Sequence, residues 1–426
     1  MTKFPSYPDP CGWNALLPPR TPTPRAEADL TAKYAVIGAG FTGLAAAARL
    51  AELDSQATIL VIEATTVGEG SSARNSGFAS PRDLPGGTTQ ADLAAAAALD
   101  RFGQEGWDWL MAQIDRHAIQ CDLRRTGRIK AAATDLGAQA VDALHRTVKT
   151  LGIPHQRLDP AALQDRIGTA YYKTGLYTDE GYLLQPAALI RGLADALPQN
   201  VRLCENTPLQ SLRRHQGHWH LTTPTARITA QTVVMATNAA IRHFGYLRDR
   251  LVTIYTYAAI TQPIPAPHLG QMPDWGLLPS HRLGTTIRRI GQDRLMVRSL
   301  YAHERPLDPA HVQQTLLSCF HRRYPALAHI ALDHIWGGTT ALTMNGAPWW
   351  GEVDQALYTS AGCNGSGIVK GTVLGKRLAE HITGHGTHTD IQEAYGRANW
   401  VVPEPFRSIG FNLIATRERR KAGAET

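Results

Sequence analysis

The clearest hydrophobic pattern in the chain is a short apolar run followed by a longer Ala- and Leu-rich stretch. Tyr34 to Ile37 is a run ending in β-branched Val36 and Ile37, which is typical of a buried parallel strand. Glycines interrupt the pattern at positions 38, 40 and 43, and Leu44 to Leu53 then follows as a predicted helix. A second apolar run, ATILVIEA, ends near Glu63 and predicts the next strand. We therefore expect a βαβ unit at this point.

The same uncharged stretch also has the composition of a membrane anchor. A spanning helix of about twenty residues would not contain three glycines and Arg49, because each would disfavour insertion. The sequence therefore predicts no transmembrane segment here.

The glycines match the pattern G-x-G-x-x-G in the strand–turn–helix context that this pattern requires. The first allows a tight turn, the second lets the backbone approach a pyrophosphate, and the third permits close packing of helix on strand. An acid twenty residues later is placed to accept hydrogen bonds from a ribose. We predict a dinucleotide site, with a chance glycine turn as the alternative, formed by Gly38, Gly40, Phe41, Thr42, Gly43, Glu63 and Ala64.

Three later segments favour FAD over a nicotinamide, and the first is the loop Gly68 to Phe78, whose small residues let it lie against a cofactor. The apolar strand Thr232 to Met235 is followed by Ala236-Thr237-Asn238, and AGCNGSG near the end of the chain lies between a predicted strand and a predicted helix. A nicotinamide dehydrogenase has no need for a second glycine loop more than three hundred residues after the first. FAD binds in an extended conformation, and a second loop is needed to contact its flavin ring from the far side.

Taken together, VIGAGFTGLAAAARLAE, GSSARNSGF, VVMATNAAI and SAGCNGSGIVKG resemble the D-amino-acid-oxidase superfamily of FAD enzymes, and most closely its γ-glutamylputrescine-oxidase-like branch. The resemblance extends from about Tyr34 to Pro405. The branch has a loop of the form G-x-S-x-R-N-x-G, which Gly70 to Gly77 match. The resemblance implies further FAD contacts at Ser71, Ser72, Arg74, Asn75, Ser76, Gly77, Phe78, Pro208, Ala236, Thr237, Asn238, Gly362, Asn364, Gly365, Ser366, Gly367 and Ile368.

The implied fold is α/β, with a Rossmann-like FAD-binding domain interleaved with a substrate domain built on an antiparallel sheet. We expect the FAD-binding domain to comprise residues 30–85, 155–245 and 345–400, and the substrate domain residues 86–154 and 246–344. The Pro-rich residues 1–29 predict an irregular arm that lies over the folded domain or is partly disordered. Residues 401–426 are expected to form a basic, solvated tail.

Composition and charge limit the classes of ligand and partner that the sequence predicts. Five scattered cysteines without CxxC or metal spacing argue against a disulfide framework and a metal site, and favour the cytoplasm. The net charge is +7, of which the tail carries about +3, from five Lys/Arg against two acids after position 405. Without a basic face interleaved with aromatic residues, we expect no nucleic-acid partner. Attraction of an anionic substrate or partner by the tail is the alternative.

The resemblance implies oxidation of a C–N bond in a small-molecule amine or amino acid, with hydride transfer to flavin N5. The imine product hydrolyses to an aldehyde or keto acid, and O2 or another acceptor takes the electrons. Non-covalent FAD is expected, because the stretch Trp336 to Val353, where some relatives attach the flavin, contains no cysteine. Two alternatives stay open: a non-amine substrate such as a hydroxy acid or a modified tRNA, and a flavin-binding protein without turnover.

The substrate contacts are predicted from the β-rich segments of the substrate domain. Arg288 and Arg298 are candidates to pair a substrate carboxylate bidentately. Tyr255 and Tyr257 lie two residues apart, on one face of a strand, and would form an aromatic wall. Trp336 is a candidate to line the flavin cavity. Each has an ordinary alternative, a solvated arginine or a packing aromatic.

Overall fold

The fold is organised around two large β-sheets and the helices that cover them. The computed structural model describes residues 7, 9–82, 89–386 and 389–426. Within these, the α-helices in chain order are α1 (Gly12–Ala15), α2 (Phe41–Leu53), α3 (Gln90–Arg116), α4 (Asp135–Thr150), α5 (Pro160–Ile167), α6 (Pro186–Asp195), α7 (Pro309–Arg323), α8 (Gly367–Ile382), α9 (Thr389–Tyr395) and α10 (Phe406–Ala422).

The strands are numbered separately, also in chain order. They are β1 (Leu30–Ile37), β2 (Ile59–Ile62), β3 (Phe78–Ala79), β4 (Arg124–Arg125), β5 (Arg128–Ala132), β6 (His155–Leu158), β7 (Thr174–Thr178), β8 (Tyr182–Leu183), β9 (Val201–Cys204), β10 (Ser211–His215), β11 (His218–Thr222), β12 (Arg227–Met235), β13 (Val252–Thr261), β14 (Gly276–Pro279), β15 (Thr286–Ile290), β16 (Arg294–His303), β17 (Leu332–Leu342), β18 (Trp349–Asp354) and β19 (Leu357–Ala361).

The first sheet contains the predicted βαβ unit. Strand β1 lies between β12 and β2, β2 pairs with β9, and β19 pairs with β12, all in parallel. Ile37 lies in register with Met235 on one side and Ile62 on the other, so three strands end at the same edge. Strands β10, β11 and β18 extend the sheet through antiparallel pairs. The predicted α/β class is confirmed.

Glycine sets the distance between β1, α2 and α8. A Cβ added at Gly43 would lie 1.9 Å from the carbonyl oxygen of Gly38, and one at Gly375 would lie 2.2 Å from that of Thr42. Side chains at these positions would therefore force the elements apart. Their absence lets α2 and α8 begin beside each other at the edge where the parallel strands end.

The second sheet has the order β17-β13-β16-β15-β14-β5-β7-β6. Its pairs are antiparallel except for β14 with β5, which are parallel. Strands β6 and β7 belong to this sheet, although the sequence analysis assigns residues 155–178 to the FAD-binding domain. The proposed domain boundaries otherwise stay a prediction. A third, short sheet has the order β3-β8-β4.

Strand β16 is interrupted by a bulge. Thr256 of β13 pairs with Tyr301 and its neighbour Tyr257 pairs with Ser299, so Leu300 is an extra residue on β16. Leu300 has a φ of +65°, in the left-handed region that non-glycine residues rarely adopt. Such a bulge shifts the residues beyond it to the opposite face of the strand.

The described part of the N-terminal arm lies over the folded domain, which is one of the two alternatives predicted. Residues 1–6 and 8 of the arm lie outside the described residues. Trp13 is fully buried, and its indole N–H donates to the carbonyl oxygen of Asn75 at 2.8 Å. Arg20 donates through one guanidinium nitrogen to both carboxylate oxygens of Glu205, at 2.9 and 2.7 Å. The described part of the arm is therefore built into the structure.

The C-terminal tail is solvated only in part, because most side chains of α10 are exposed whereas the end of the chain is docked. Residues 406–422 form α10, and the side chain of Glu425 is buried, with its carboxylate accepting from the amide of Ala133 at 2.8 Å. The buried guanidinium of Arg323 donates to the carbonyl oxygen of Glu425 at 2.9 Å. These contacts dock the C-terminal segment on the second sheet, which composition alone does not predict.

Candidate active site

A cavity of about 620 Å³ lies between the two sheets. Its size is in the range of pockets that hold cofactors and small substrates. Gly38, Glu63 and Ala236 line it, and each directly follows the last residue of a parallel strand. Ligands of open α/β sheets bind at this carboxyl edge. The predicted FAD contacts that line the cavity are Gly38, Gly40, Phe41, Thr42, Glu63, Ala64, Ser71, Ser72, Arg74, Asn75, Ser76, Phe78, Ala236, Thr237, Asn238, Gly365, Ser366, Gly367 and Ile368.

The N-termini of α2 and α8 face this cavity together. Residues 365–368, where α8 begins, and 40–42, where α2 begins, are among its lining. Helix N-termini present unpaired amides and partial positive charge, which suit a pyrophosphate. Ser72 adds a hydroxyl, which accepts from the Phe41 amide at 3.3 Å. A Cβ at Gly40 would lie 2.6 Å from that hydroxyl oxygen, so a larger residue there would displace the Ser72 hydroxyl from the Phe41 amide.

The carboxylate of Glu63 lies where the sequence analysis expects a ribose. Burial raises its pKa, and hydrogen bonds from the amides of Ala39 and Thr65, at 2.9 and 3.2 Å, act in the opposite direction. The Glu63 side chain thus fixes the turn after β1 while lining the cavity. Its remaining acceptor capacity suits a ribose hydroxyl.

Arg74 lines the cavity, but its guanidinium is used within the protein. It pairs with Glu69 at 2.9 Å and donates to the carbonyl oxygens of Gly337, at 2.9 Å, and Asp9, at 2.9 Å. The Tyr7 ring stacks on it, with the guanidinium carbon 4.1 Å from the ring centroid. Arg74 therefore joins the N-terminal arm, the 68–78 loop and β17, and contacts with phosphate are not needed to explain its burial.

Several predicted FAD residues shape the cavity without lining it. Asn364 accepts from the Thr343 amide at 2.9 Å and donates to the carbonyl oxygens of Gly362 and Gly346, at 2.7 and 2.9 Å, so it folds the late loop. Gly77 and Gly362 have positive φ values of 74° and 82°. The predicted residues outside the lining are Gly43, Gly77, Pro208, Gly362 and Asn364.

The cavity is also lined by other residues that the sequence does not predict. Thr207 and Leu209 line the cavity on either side of Pro208, and Thr339, Thr340 and Lys370 also contribute. Among the predicted residues, Thr237 has a buried hydroxyl without a hydrogen-bond partner within the protein, which leaves a polar atom for a ligand. A spacing rule does not find the unpredicted positions, because Thr207 and Leu209 lie in a loop, Thr339 and Thr340 in β17, and Lys370 in α8.

The second sheet supplies a different wall. Ala258, Arg298 and Thr286 are in register across β13, β16 and β15, and all three line the cavity. Directly opposed residues of antiparallel strands point to the same face, so these side chains form one row. Thr256 also lines this wall, and its buried hydroxyl has no partner within the protein.

Arg298 and Arg288 have different environments. No carboxylate of the described residues lies within ion-pair distance of Arg298, whose guanidinium donates to the Tyr301 hydroxyl at 2.6 Å. Arg288 is outside the cavity lining and donates to the carbonyl oxygens of Leu184 and Ser76, at 2.8 and 3.1 Å. Burial lowers the pKa of Arg288 to about 10. Of these two candidate arginines, the structure thus brings only Arg298 to the cavity.

The aromatic candidates mostly pack elsewhere. Tyr257 lines the cavity, but its hydroxyl accepts from the Leu307 amide at 2.6 Å. Tyr255 packs against the same apolar cluster as Tyr257 and is not part of the lining. Trp336 is buried against Trp13, with ring centroids 6.0 Å apart, and also lies outside the lining.

Two absences hold for the part of the chain that the structure describes. No group of three or more His, Cys, Asp or Glu side chains there is arranged to hold a metal ion. Likewise, no helix within those residues has both the length and the apolar character needed to cross a membrane.

The sequence profile of the DAO family, described as FAD dependent oxidoreductase, matches residues 33–381. The chain belongs to this family. The predicted resemblance to the D-amino-acid-oxidase superfamily and the predicted FAD cofactor are confirmed. As a DAO-family enzyme, it is an FAD-dependent oxidoreductase.

The chain is similar to two curated oxidoreductases and to one solved amino-acid oxidase structure over most of its length. The DAO-family chain is 26% identical over 375 residues to the probable oxidoreductase OrdL of Haemophilus influenzae, covering 85% of each protein. It is 25% identical to the gamma-glutamylputrescine oxidoreductase of Escherichia coli strain K12, covering 85% of this chain and 86% of that one. The fold matches glycine oxidase from Geobacillus kaustophilus, with a TM-score of 0.72, 19% identity and coverage of 88% and 100%.

The residues present fit FAD. The paired helix N-termini suit its pyrophosphate and the buried Glu63 its ribose, while the unpartnered Thr237 hydroxyl offers a further polar contact. When bound, FAD supplies a two-electron acceptor. The protein contributes position, exclusion of water and charge.

Proposed function

We propose that this DAO-family enzyme oxidises the C–N bond of a small amine or amino acid that carries a carboxylate. The observation that carries the proposal is Arg298, a cavity-lining guanidinium with no carboxylate partner among the described residues. A guanidinium can bind a carboxylate through two parallel hydrogen bonds. The similarity to gamma-glutamylputrescine oxidoreductase and to the fold of glycine oxidase supports the choice of a nitrogen-bearing substrate.

In this proposal the second sheet orients the substrate. Arg298 holds the carboxylate, and the small residues Ala258 and Thr286 beside it leave room for the rest of the molecule. The substrate amine must be neutral for its lone pair to assist departure of a hydride from the adjacent carbon. Loss of the hydride and of the N–H proton gives an imine, which water converts to an aldehyde or keto acid and an amine or ammonia.

We further propose that FAD is held without a covalent bond, that O2 or another acceptor takes up the electrons, and that no nucleic acid is bound. Cys363 is the one cysteine among the lining residues, and its sulfur contacts Thr340 at 3.4 Å and Asn238 at 3.5 Å. All five cysteines are unpaired, which supports the proposed cytoplasmic location.

The test is anaerobic bleaching of the bound flavin by a panel of polyamines, γ-glutamylated amines, N-methyl amino acids and D-amino acids, with hydroxy acids as the competing class. We expect a carboxylate-bearing amine to bleach it fastest, and its carboxamide to react at least tenfold less efficiently. Bleaching by hydroxy acids alone would assign a non-amine substrate. No bleaching by any compound would indicate a flavin-binding protein without turnover.

Arg298→Ala tests the residue itself. We expect KM to rise for carboxylate substrates and to stay within about twofold for the matched carboxamides, because only the former use the guanidinium. Equal losses for both would show that Arg298 acts structurally. Acid treatment, followed by separation of flavin from protein, checks non-covalent attachment, and re-oxidation by air against a dye identifies the acceptor.

A further inference from the structure

Within the described residues, the side chain that holds the guanidinium of Arg298 is Tyr301. A guanidinium N–H donates to the Tyr301 hydroxyl at 2.6 Å, and the guanidinium carbon lies 4.8 Å from the centroid of the tyrosine ring. The same hydroxyl donates to the carbonyl oxygen of Arg282 at 2.9 Å. A phenol has one O–H to donate. Because the Tyr301 O–H donates to the carbonyl oxygen of Arg282, a lone pair of the Tyr301 oxygen accepts from Arg298.

The bulge at Leu300 makes this contact possible. Arg298 and Tyr301 are three residues apart, and in a regular strand they would point to opposite faces. The extra residue places Tyr301 opposite Thr256, which lines the cavity as Ala258, the partner of Arg298, also does. The bulge at Leu300 therefore brings the Tyr301 side chain to the same face of the sheet as Arg298.

The C-terminal helix α10 holds Tyr301 from the other side. Arg419 donates to the carbonyl oxygen of Tyr301 at 3.0 Å, and Glu418 pairs with Arg282, whose carbonyl receives the tyrosine proton, at 3.2 Å. Phe411 of the same helix packs with Tyr301 against one apolar cluster. Helix α10 thus contacts the backbone of Tyr301 and the residue whose carbonyl accepts from its hydroxyl, and it shares an apolar cluster with the tyrosine ring.

We propose that Tyr301 is a positioning residue for Arg298, and that helix α10, by fixing Tyr301, sets the enzyme's preference for carboxylate-bearing substrates. The inference rests on the proposed function, in which Arg298 binds the carboxylate. Without the Tyr301 hydroxyl, the long arginine side chain must lose its rotational freedom when substrate binds. The preference for a carboxylate then falls, while steps that do not involve it are unchanged.

The experiment measures binding of propionate and of propionamide to the oxidised holoenzyme, by the change each causes in the flavin absorbance. The two ligands match in shape and differ in charge, so the ratio of their dissociation constants reports the carboxylate preference alone. We expect the wild-type enzyme to prefer propionate. Tyr301→Phe keeps the ring and removes both hydrogen bonds, and we expect it to reduce the ratio about tenfold.

Three further variants complete the design. Arg298→Ala should abolish the preference for propionate, and Glu418→Ala should reduce it two- to threefold, because it frees the Arg282 end of the contact. Tyr246→Phe is the matched control: its hydroxyl donates to Asp354 at 2.9 Å and lies outside the cavity lining, so the ratio should not change.

The outcomes separate the two proposals. A wild-type enzyme without preference for propionate, or an Arg298→Ala variant that keeps it, overturns the proposed role of Arg298 and with it this inference. Loss of the preference in Arg298→Ala but not in Tyr301→Phe leaves the proposed function standing and overturns the role of Tyr301. An effect of Tyr301→Phe without one of Glu418→Ala overturns the part assigned to helix α10.

Discussion

The ion pair between Arg20 and Glu205 predicts how strongly the N-terminal arm stabilises the fold. The Glu205 side chain is fully buried, and that of Arg20 is 14% exposed. The carboxylate also accepts from the amides of Val67 and Thr23, both at 2.6 Å. In Glu205→Gln, an amide NH2 group would replace one oxygen and face one of these donors, while Arg20 would lose its buried charged partner and keep only the exposed Asp195, at 2.9 Å.

Removing one member of a buried pair costs about 3–5 kcal/mol, and the partial exposure of Arg20 favours the lower end, ~3 kcal/mol. Unfolding entropy of about 2.1 cal/mol/K per residue, applied to 426 residues, gives ~0.9 kcal/mol/K. If the holoenzyme unfolds in one transition, Glu205→Gln should lower its Tm by about 3 °C. Thermal release of flavin fluorescence measures this.

Arg25→Ala is the matched control on the same arm. Arg25 pairs with Glu27 at 3.0 Å, but the two side chains are 55% and 70% exposed, so the expected loss is below about 0.5 kcal/mol. Equal Tm values for Glu205→Gln and Arg25→Ala would refute the reasoning. So would simple addition of the effects of Arg20→Ala and Glu205→Gln in the double variant, because paired residues should show coupling.

The effect should also depend on pH. Burial alone would raise the pKa of Glu205, but the hydrogen bonds from Val67, Arg20 and Thr23 lower it below the ordinary value of 4.5. A carboxyl whose pKa is lowered by folding stabilises the native state above its unfolded pKa and loses that contribution as the pH falls through the folded value. The Tm difference between wild type and Glu205→Gln should therefore be full at pH 7 and shrink below about pH 4.5.

Two further variants test the glycine packing and the buried arginine. Gly43→Ala would place a Cβ 1.9 Å from a backbone oxygen and should weaken FAD binding at least tenfold in titrations of the apoprotein, whereas Gly410→Ala, where a Cβ meets nothing within 4 Å, should not. Arg288→Met leaves backbone carbonyls of Leu184 and Ser76 without donors and should cost about 3 kcal/mol in unfolding, with the carboxylate preference unchanged. A selective loss of carboxylate binding would instead place Arg288 at the substrate.

The cofactor half of the site is largely predictable from the sequence, because its determinants are local. The spacing of Gly38, Gly40 and Gly43 specifies a turn whatever lies around it, and Glu63 follows a strand of recognisable composition. The structure accordingly places Gly38, Gly40 and Glu63 at the cavity and Gly43 in the packing of α2 on β1.

The substrate half depends on contacts between distant segments. Arg288 lies two residues after Thr286, on the same face of β15, yet Trp13 of the N-terminal arm covers it, with the guanidinium carbon 5.0 Å from the ring centroid. Trp336, opposite Ala258, is covered by the same tryptophan. No local pattern indicates that Trp13, which is 275 residues from Arg288 and 323 from Trp336, covers this part of the sheet.

Tyr301 was missed for a different reason. Alternation along a strand places Tyr301 on the face opposite Arg298, and only the bulge at Leu300 reverses this. Nothing in the residue type of Leu300 signals a positive φ, which bulky residues normally avoid. The docking of α10 is likewise a tertiary effect, since its basic composition also suits an exposed tail.

The row of Ala258, Arg298 and Thr286 has a practical consequence for protein engineering. The three side chains occupy neighbouring strands of a rigid sheet, whereas the predicted FAD contacts come from the other sheet and its loops. A library that randomises only these three codons would change the side chains that face the substrate and would leave the glycines at the start of α2 and α8 unchanged. Colonies from such a library should mostly stay yellow, so colour would screen for folding separately from altered selectivity.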